Sequence, residues 1–194
     1  MVATSTAMER AAAVRAPDVG GIALSWWRGL TNREIPAARR AWAELRRAYT
    51  PQEVALTPAY VQLAERIAER TGREAPDRAA AIALALAAVK PEQGRERGSV
   101  ARAMRTPPTG IDRPPVSEQR FRRLLQIDDL ESLAAALRRI TPMLATVPVP
   151  DLAMSVFHWG DARKRRWAEL YWTGFTLEED GHQERTGTNE EEDA

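Results

Sequence analysis

The sequence predicts an all-α fold, a helical bundle of two small subdomains joined by a Pro-rich linker. Apolar residues recur at helical spacing through most of the chain. No alternating apolar segment bounded by turn pairs is present, so no strand is expected. The segment TPPTGIDRPPV, residues 106–116, holds four prolines and cannot be a helix interior. The chain therefore divides into a flexible N-terminal tail (1–17), an N-terminal helical subdomain (18–105), the linker (106–116), a C-terminal helical subdomain (117–175) and an acidic disordered tail (176–194).

The first helix is expected over about Val19 to Leu30. Ile22, Ala23, Trp26, Trp27 and Leu30 lie on one side of it and Arg28 on the other. Adjacent tryptophans on an amphipathic helix read as a core anchor, with base stacking as the alternative. Pro36 suits the first position of a second helix reaching about Tyr49. Its wheel puts Ala38, Trp42, Leu45 and Tyr49 inward and Arg39, Arg40, Arg46 and Arg47 nearly opposite, with only Glu44 near them. Like charges spaced i,i+3 or i,i+4 cost about 0.2–0.5 kcal/mol per pair, so an unopposed set invites a polyanion.

Thr50-Pro51-Gln52-Glu53 supplies a cap, a first-turn proline and a capping-box acid, and Thr57-Pro58 repeats the cap and the proline. The helix from Pro58 buries Tyr60, Leu63, Ala64, Ile67 and Ala68 and closes near Thr71-Gly72. The run RAAAIALALAAVK, residues 78–90, is apolar all round, which suits the buried centre of a bundle. A basic loop, PEQGRERG at 91–98, precedes a helix that Ser99 can cap. Arg95, Arg97, Arg102 and Arg105 there surround a helix start able to take a phosphate, although no Gly-Lys-Ser/Thr makes it a P-loop.

Beyond the linker, SEQRFRRLLQIDDLESLAAALRR at 117–139 carries two apolar faces. Phe121, Leu124 and Leu125 form one, and Leu130, Leu133, Ala134, Leu137, Ile140 and Leu144 form the other after the Asp128-Asp129 break. Arg120 sits at the border of the first face, Arg122 and Arg123 opposite it, Arg138 beside the second and Arg139 opposite that. Asp151 is placed to cap a helix bearing Leu152, Val156, Phe157 and Trp159. Gly160-Asp161 breaks to a last helix with Trp167, Leu170 and Tyr171 inward and a charge run from Arg163 to Arg166.

Composition excludes several classes of function. There is no cysteine, so disulfides and thiolate metal sites are absent, as suits a cytoplasmic protein. No apolar run approaches the ~18 residues of a membrane helix, and no secretory signal opens the chain. His158, expected in a core or an interface, and His182 lack partners at ligand spacing, so no metal, cofactor or catalytic group is assigned. The net charge of +1 hides a segregation: the stretch from Glu178 onward carries −7 and the remainder +8. Such an acidic end either solvates the chain or competes with nucleic acid for its basic face. Of the 28 basic residues only Lys90 and Lys164 are not arginine, the side chain suited to phosphate forks and base stacking.

In order along the chain, WWRGL (26–30), Arg46-Arg47 ahead of a Thr-Pro-x-Glu start, TPAYVQL (57–63) and GSVARAM (98–104) form one series of motifs. SEQRFRRLL (117–125), LRR (137–139), FHWG (157–160) and the segment from Trp167-Ala168 to Tyr171 complete it. This series resembles the CasB family, the small subunit of the type I-E CRISPR Cascade surveillance complex. The resemblance implies an all-helical, non-catalytic antiviral-defence protein. Its implied partners are the other Cascade subunits (backbone and large subunit), a second copy of itself, CRISPR RNA and target DNA. Its implied role is to hold the opened DNA of the R-loop, particularly the displaced non-target strand, in a basic groove without sequence preference. By motif position the implied contacts are Arg46, Arg47, Arg102, Arg120, Arg138 and Arg139; the helical wheels give the same residues apart from Arg102 and add Arg28, Arg39, Arg40 and Arg123.

Two other readings fit the residues. One is a helical protein–protein adaptor without direct nucleic-acid contact. The other is a nuclease using Asp128, Asp129 and Glu131 as metal ligands, against which their position at a helix start argues.

Overall fold

A computed structural model describes residues 18–72 and 75–173. The expected tails at 1–17 and 176–194, with His182, lie outside the described residues. The helices begin where local chemistry favours them. Helix α1 (Val19–Thr31) starts at Asp18, whose Oδ1 accepts from the Gly21 amide at 2.8 Å. Helices α2 (Pro36–Arg47), α3 (Pro51–Ala55), α4 (Pro58–Thr71) and α5 (Pro76–Ala87) all open on proline, which gives up an N–H that has no helical partner anyway. Thr50 and Thr57 cap α3 and α4, accepting from the Glu53 and Tyr60 amides at 3.2 and 3.3 Å. Gly72, at φ 67°, ends α4 in the left-handed conformation open to glycine.

The chain continues through α6 (Val100–Arg105), α7 (Glu118–Leu125), α8 (Leu130–Ile140), a 3₁₀ turn (Thr141–Met143), α9 (Val149–Phe157) and α10 (Asp161–Trp172). The fold is all-α, with one addition to the expectation of no strands. Gly94–Arg95 (β1) and Val147–Pro148 (β2) pair in parallel, Gly94 opposite Val147 and Arg95 opposite Pro148. Two residues per strand are too few to leave an alternating pattern in sequence.

Helix α5 is the centre. Its residues 79–87 are all buried, and α2, α3, α4, α8 and α9 pack around it. Helix α1 lies against α9, α2 and α4, its two tryptophans in the core, with Trp26 Nε1 donating to Ala59 O at 2.8 Å. Their burial removes the base-stacking alternative for this pair. Residues on both sides of 106–116, among them Leu63, Ile67, Leu133, Leu137 and Val156, belong to one apolar cluster. The linker is itself anchored: Val116 N donates to Met104 O at 3.2 Å, and Val116 O accepts from the Tyr171 hydroxyl at 2.7 Å. Tyr171 stacks on Phe121 with centroids 3.9 Å apart, fastening α10 to α7.

Three local expectations change. Tyr49, placed on the buried stripe of the second helix, is 71% exposed, because α2 ends at Arg47 and the wheel no longer applies beyond it. Asp151 does not cap its own helix: its Oδ2 accepts from the Val100 amide at 2.8 Å and so caps α6 in place of Ser99. Burial raises the Asp151 carboxyl above its ordinary value, while the Val100 bond and the nearby Arg163 and Arg166 pull it down. His158, expected in a core or an interface, lies exposed beside Phe157, edge-on with centroids 5.0 Å apart, which removes the core alternative only.

Candidate nucleic-acid interface

Most candidate arginines sit in the last turn of a helix: Arg46 and Arg47 in α2, Arg102 in α6, Arg123 in α7, Arg138 and Arg139 in α8. Unsatisfied carbonyls at that end favour cations, which accounts for the positions without invoking a ligand. The exposed guanidinium heads are what a ligand would meet.

Arg46 and Arg138 come together from opposite sides of the linker. Arg138 Nη2 donates to the Arg46 carbonyl at 2.6 Å, so the end of α8 satisfies the end of α2. The Arg138 guanidinium also lies over the Tyr49 ring, 5.1 Å from its centroid, and its Nη1 is buried without a partner. Burial pushes this guanidinium below its ordinary value; Tyr49 and Glu53 oppose that shift and Arg46 adds to it. It stays charged, since arginine does not lose its proton in proteins. Beside this junction, Arg46 shares a cleft with Arg33, Trp42 and Lys90, faced by Glu92.

From α8 the band continues through the following turn. Arg120 Nη1 approaches Met143 Sδ at 3.3 Å, and Ala145 and Thr146 line a groove with Arg97 and Arg102. The buried side chain of Gln93 holds this turn against the basic loop, its Nε2 donating to Leu144 O at 2.6 Å and pointing at Pro142 O and Thr141 O at 3.4 and 3.5 Å. Val147 N donates to Gln93 O at 2.8 Å. Gly94 next to it packs flat on the Trp27 ring, where a Cβ would stand 2.1 Å from the indole. The loop that carries Arg95 and Arg97 is thus pinned to the turn that Arg120 approaches, while Arg102 and Arg120 themselves sit on α6 and α7.

Among the described residues, Arg39, Arg40, Arg46, Arg47, Arg102, Arg120, Arg123, Arg138 and Arg139 form no ion pair with a carboxylate within 4.0 Å. Arg28 pairs with Glu96, and Arg122 with Glu118 at 3.7 Å under Trp172. Arg40 lines a different groove, between α1, α2 and α4, with Glu44 and Arg66. Helical geometry places Arg39 on the Arg46 stripe and Arg47 on the Arg40 stripe, about 100° round the helix. The fold therefore joins Arg46 to Arg138 directly, sets Arg120 and Arg102 beside the turn that follows α8, leaves Arg139 and Arg123 exposed on α8 and α7, and gives Arg28 and Arg40 other surroundings, with Arg47 on the Arg40 stripe.

The helix start expected to take a phosphate behaves differently, for the Val100 amide is occupied by Asp151. The three acidic residues of the nuclease reading each have a structural partner. Asp128 pairs with Lys164, Asp129 caps α8 by accepting from the Ser132 amide at 2.7 Å, and Glu131 faces Gln52 Nε2 at 3.5 Å. No group of three His, Asp or Glu among the described residues could hold a metal ion. No described helix is long and apolar enough to cross a membrane. Sequence reasoning placed Tyr49 inward and did not single out Gln93 or Met143, whose contacts reach residues distant in the chain.

A family model for CRISPR-associated protein Cse2 matches residues 41–172. No curated protein matches the chain. Among solved structures, the fold is similar to a chain in the crystal structure of E. coli Cascade bound to a PAM-containing dsDNA target. That match has a TM-score of 0.61 and 20% sequence identity, and it covers 78% of this chain and 96% of that one.

Proposed function

The chain belongs to the Cse2 family of CRISPR-associated proteins, and from that premise we propose that it is the non-catalytic small subunit of a type I-E, RNA-guided Cascade complex. In this reading it lies beside the guide RNA with a second copy of itself and the backbone and large subunits. It holds the displaced non-target strand of the R-loop without reading its sequence. The observation that carries the reading is the meeting of Arg138 with Arg46, which joins exposed arginines of the two halves into one band free of carboxylate partners.

The two subdomains flanking 106–116 act as the two sides of that band, with Arg46 and Arg102 on one and Arg120, Arg123, Arg138 and Arg139 on the other. Guanidinium groups displace counterions from phosphates, giving affinity that falls with salt and ignores base identity. An isolated module of this kind binds at roughly 10⁻⁴ to 10⁻⁶ M in physiological salt, and tethering within a complex makes that sufficient. Exchange of DNA pairing for RNA–DNA pairing is nearly balanced, so such contacts tip it. The acidic stretch from Glu178, at −7 by sequence, competes for the same band when no strand is bound.

The test is binding of a labelled oligo-dT across a salt series. Arg46→Ala should fold and co-purify with the other subunits and CRISPR RNA, while its log-affinity against log-salt slope falls by about 0.7, the loss of one phosphate contact. A wild-type chain that joins the complex yet ignores single strands at low salt would replace this reading with the adaptor. One observation favours the adaptor: Leu56 and Val61, near the start of α4, are 85% and 45% exposed, a small apolar surface suited to a protein neighbour.

A further inference from the structure

We propose that Tyr49 is a stacking platform for an unpaired nucleobase. The inference rests on the proposed function and assigns a second kind of contact within the same band. Among the described residues no other Trp, Tyr or Phe is exposed, whereas Tyr49 is 71% exposed. Trp26, Trp27, Phe121, Trp167 and Tyr171 all lie in the core. A ring of this size left in water forfeits a large apolar burial.

The ring is nevertheless held in place. Tyr49 N, one residue before the Thr50 cap, donates to Glu53 Oε2 at 2.7 Å and so fixes the backbone that carries the ring. Ala48 before it is buried, and its amide donates to Leu45 O at 3.2 Å. One side of the ring faces the Arg138 guanidinium at 5.1 Å, and that guanidinium is fixed in turn by the Arg46 carbonyl. A fixed aromatic surface beside Arg138 and the Arg46 that Arg138 holds combines what sequence-tolerant single-strand binding requires, a π-face for the base and cations for the phosphates. Duplex DNA offers no free base to such a ring, so the ligand class is a single strand or an opened one.

The full chain and its Y49F, Y49L and Y49A variants are titrated with an oligo-dT and with a duplex of equal length, each across a salt series. Tyr49→Ala and Tyr49→Leu are expected to weaken oligo-dT binding about 5- to 150-fold, the range for one stacked base, with the salt slope unchanged because no charge is lost. Tyr49→Phe stays near wild type, and duplex binding does not change. Leucine keeps an apolar cover for Arg138 without a π-face, which separates stacking from support of the guanidinium. The proposal is overturned if Tyr49→Leu binds oligo-dT like wild type, or if the loss is equal on the duplex or comes with a smaller slope. A wild-type chain that binds neither ligand sinks the proposed function and this inference together; wild-type binding with an indifferent Tyr49 sinks this inference alone.

Discussion

Arg138 and Arg139 are neighbours with different work. Arg138 is partly buried, satisfies the Arg46 carbonyl and covers Tyr49, while Arg139 is exposed with no ion pair among the described residues. Arg138→Ala is expected to cost about 1–2 kcal/mol of stability, from one hydrogen bond and one cation–π contact, and to weaken single-strand binding. Arg139→Ala should leave the urea midpoint unchanged and lower the salt slope by about 0.7. Equal midpoints for the two variants would show that the Arg138 contacts contribute nothing to the fold. The wheel marks both residues as polar, and that much is legible in the sequence. Which of them is engaged is not, since the partner carbonyl lies 92 residues away. Tyr49 fails for a related reason: its side was read from a helix that stops two residues short of it.

At the level of elements, the caps are the most legible feature. Thr50, Thr57 and Asp129 sit where the sequence places them, because a cap needs only a side-chain oxygen and an amide three residues on. Asp151 departs from that rule because the amide it caps belongs to another element, one brought near by tertiary packing. The strand pair is invisible for the same reason. Asp129 also gives a pH signature. Its bond from the Ser132 amide holds the carboxyl below its ordinary value, so its contribution is present above the ordinary carboxylate range and is lost as pH falls through the lowered value. The stability gap between wild type and Asp129→Ala, read from urea midpoints, is therefore full at neutral pH and closes on acidification. A gap that widened in acid would contradict the assignment.

Over the whole molecule, charge is segregated where apolar burial is not. One core serves both sides of the linker, and the exposed arginines come from both. The all-α class, the central α5 and the arginine-rich outside were legible, since each follows from periodicity within one segment. The approach of α2 to α8 depends on packing around α5, and the place of α6 on its contacts with α10 and β2, neither of which periodicity encodes. Deleting 178–194 removes a stretch of −7 from a chain of +1. That deletion is expected to tighten oligo-dT binding at low salt, with the gain fading as the screening length shrinks toward about 8 Å at physiological salt. An equal affinity at low salt would show that the stretch does not reach the band.

Gln93 carries no charge, yet its amide fixes the distance between the 94–102 arginines and the turn that follows α8. A nucleic-acid backbone has a set repeat between neighbouring phosphates, and a surface that grips it needs a matching pitch. Under the proposed function the ruler for that pitch is a neutral, hidden side chain, so a scan confined to exposed basic residues would measure the strength of the grip and never discover what calibrates it.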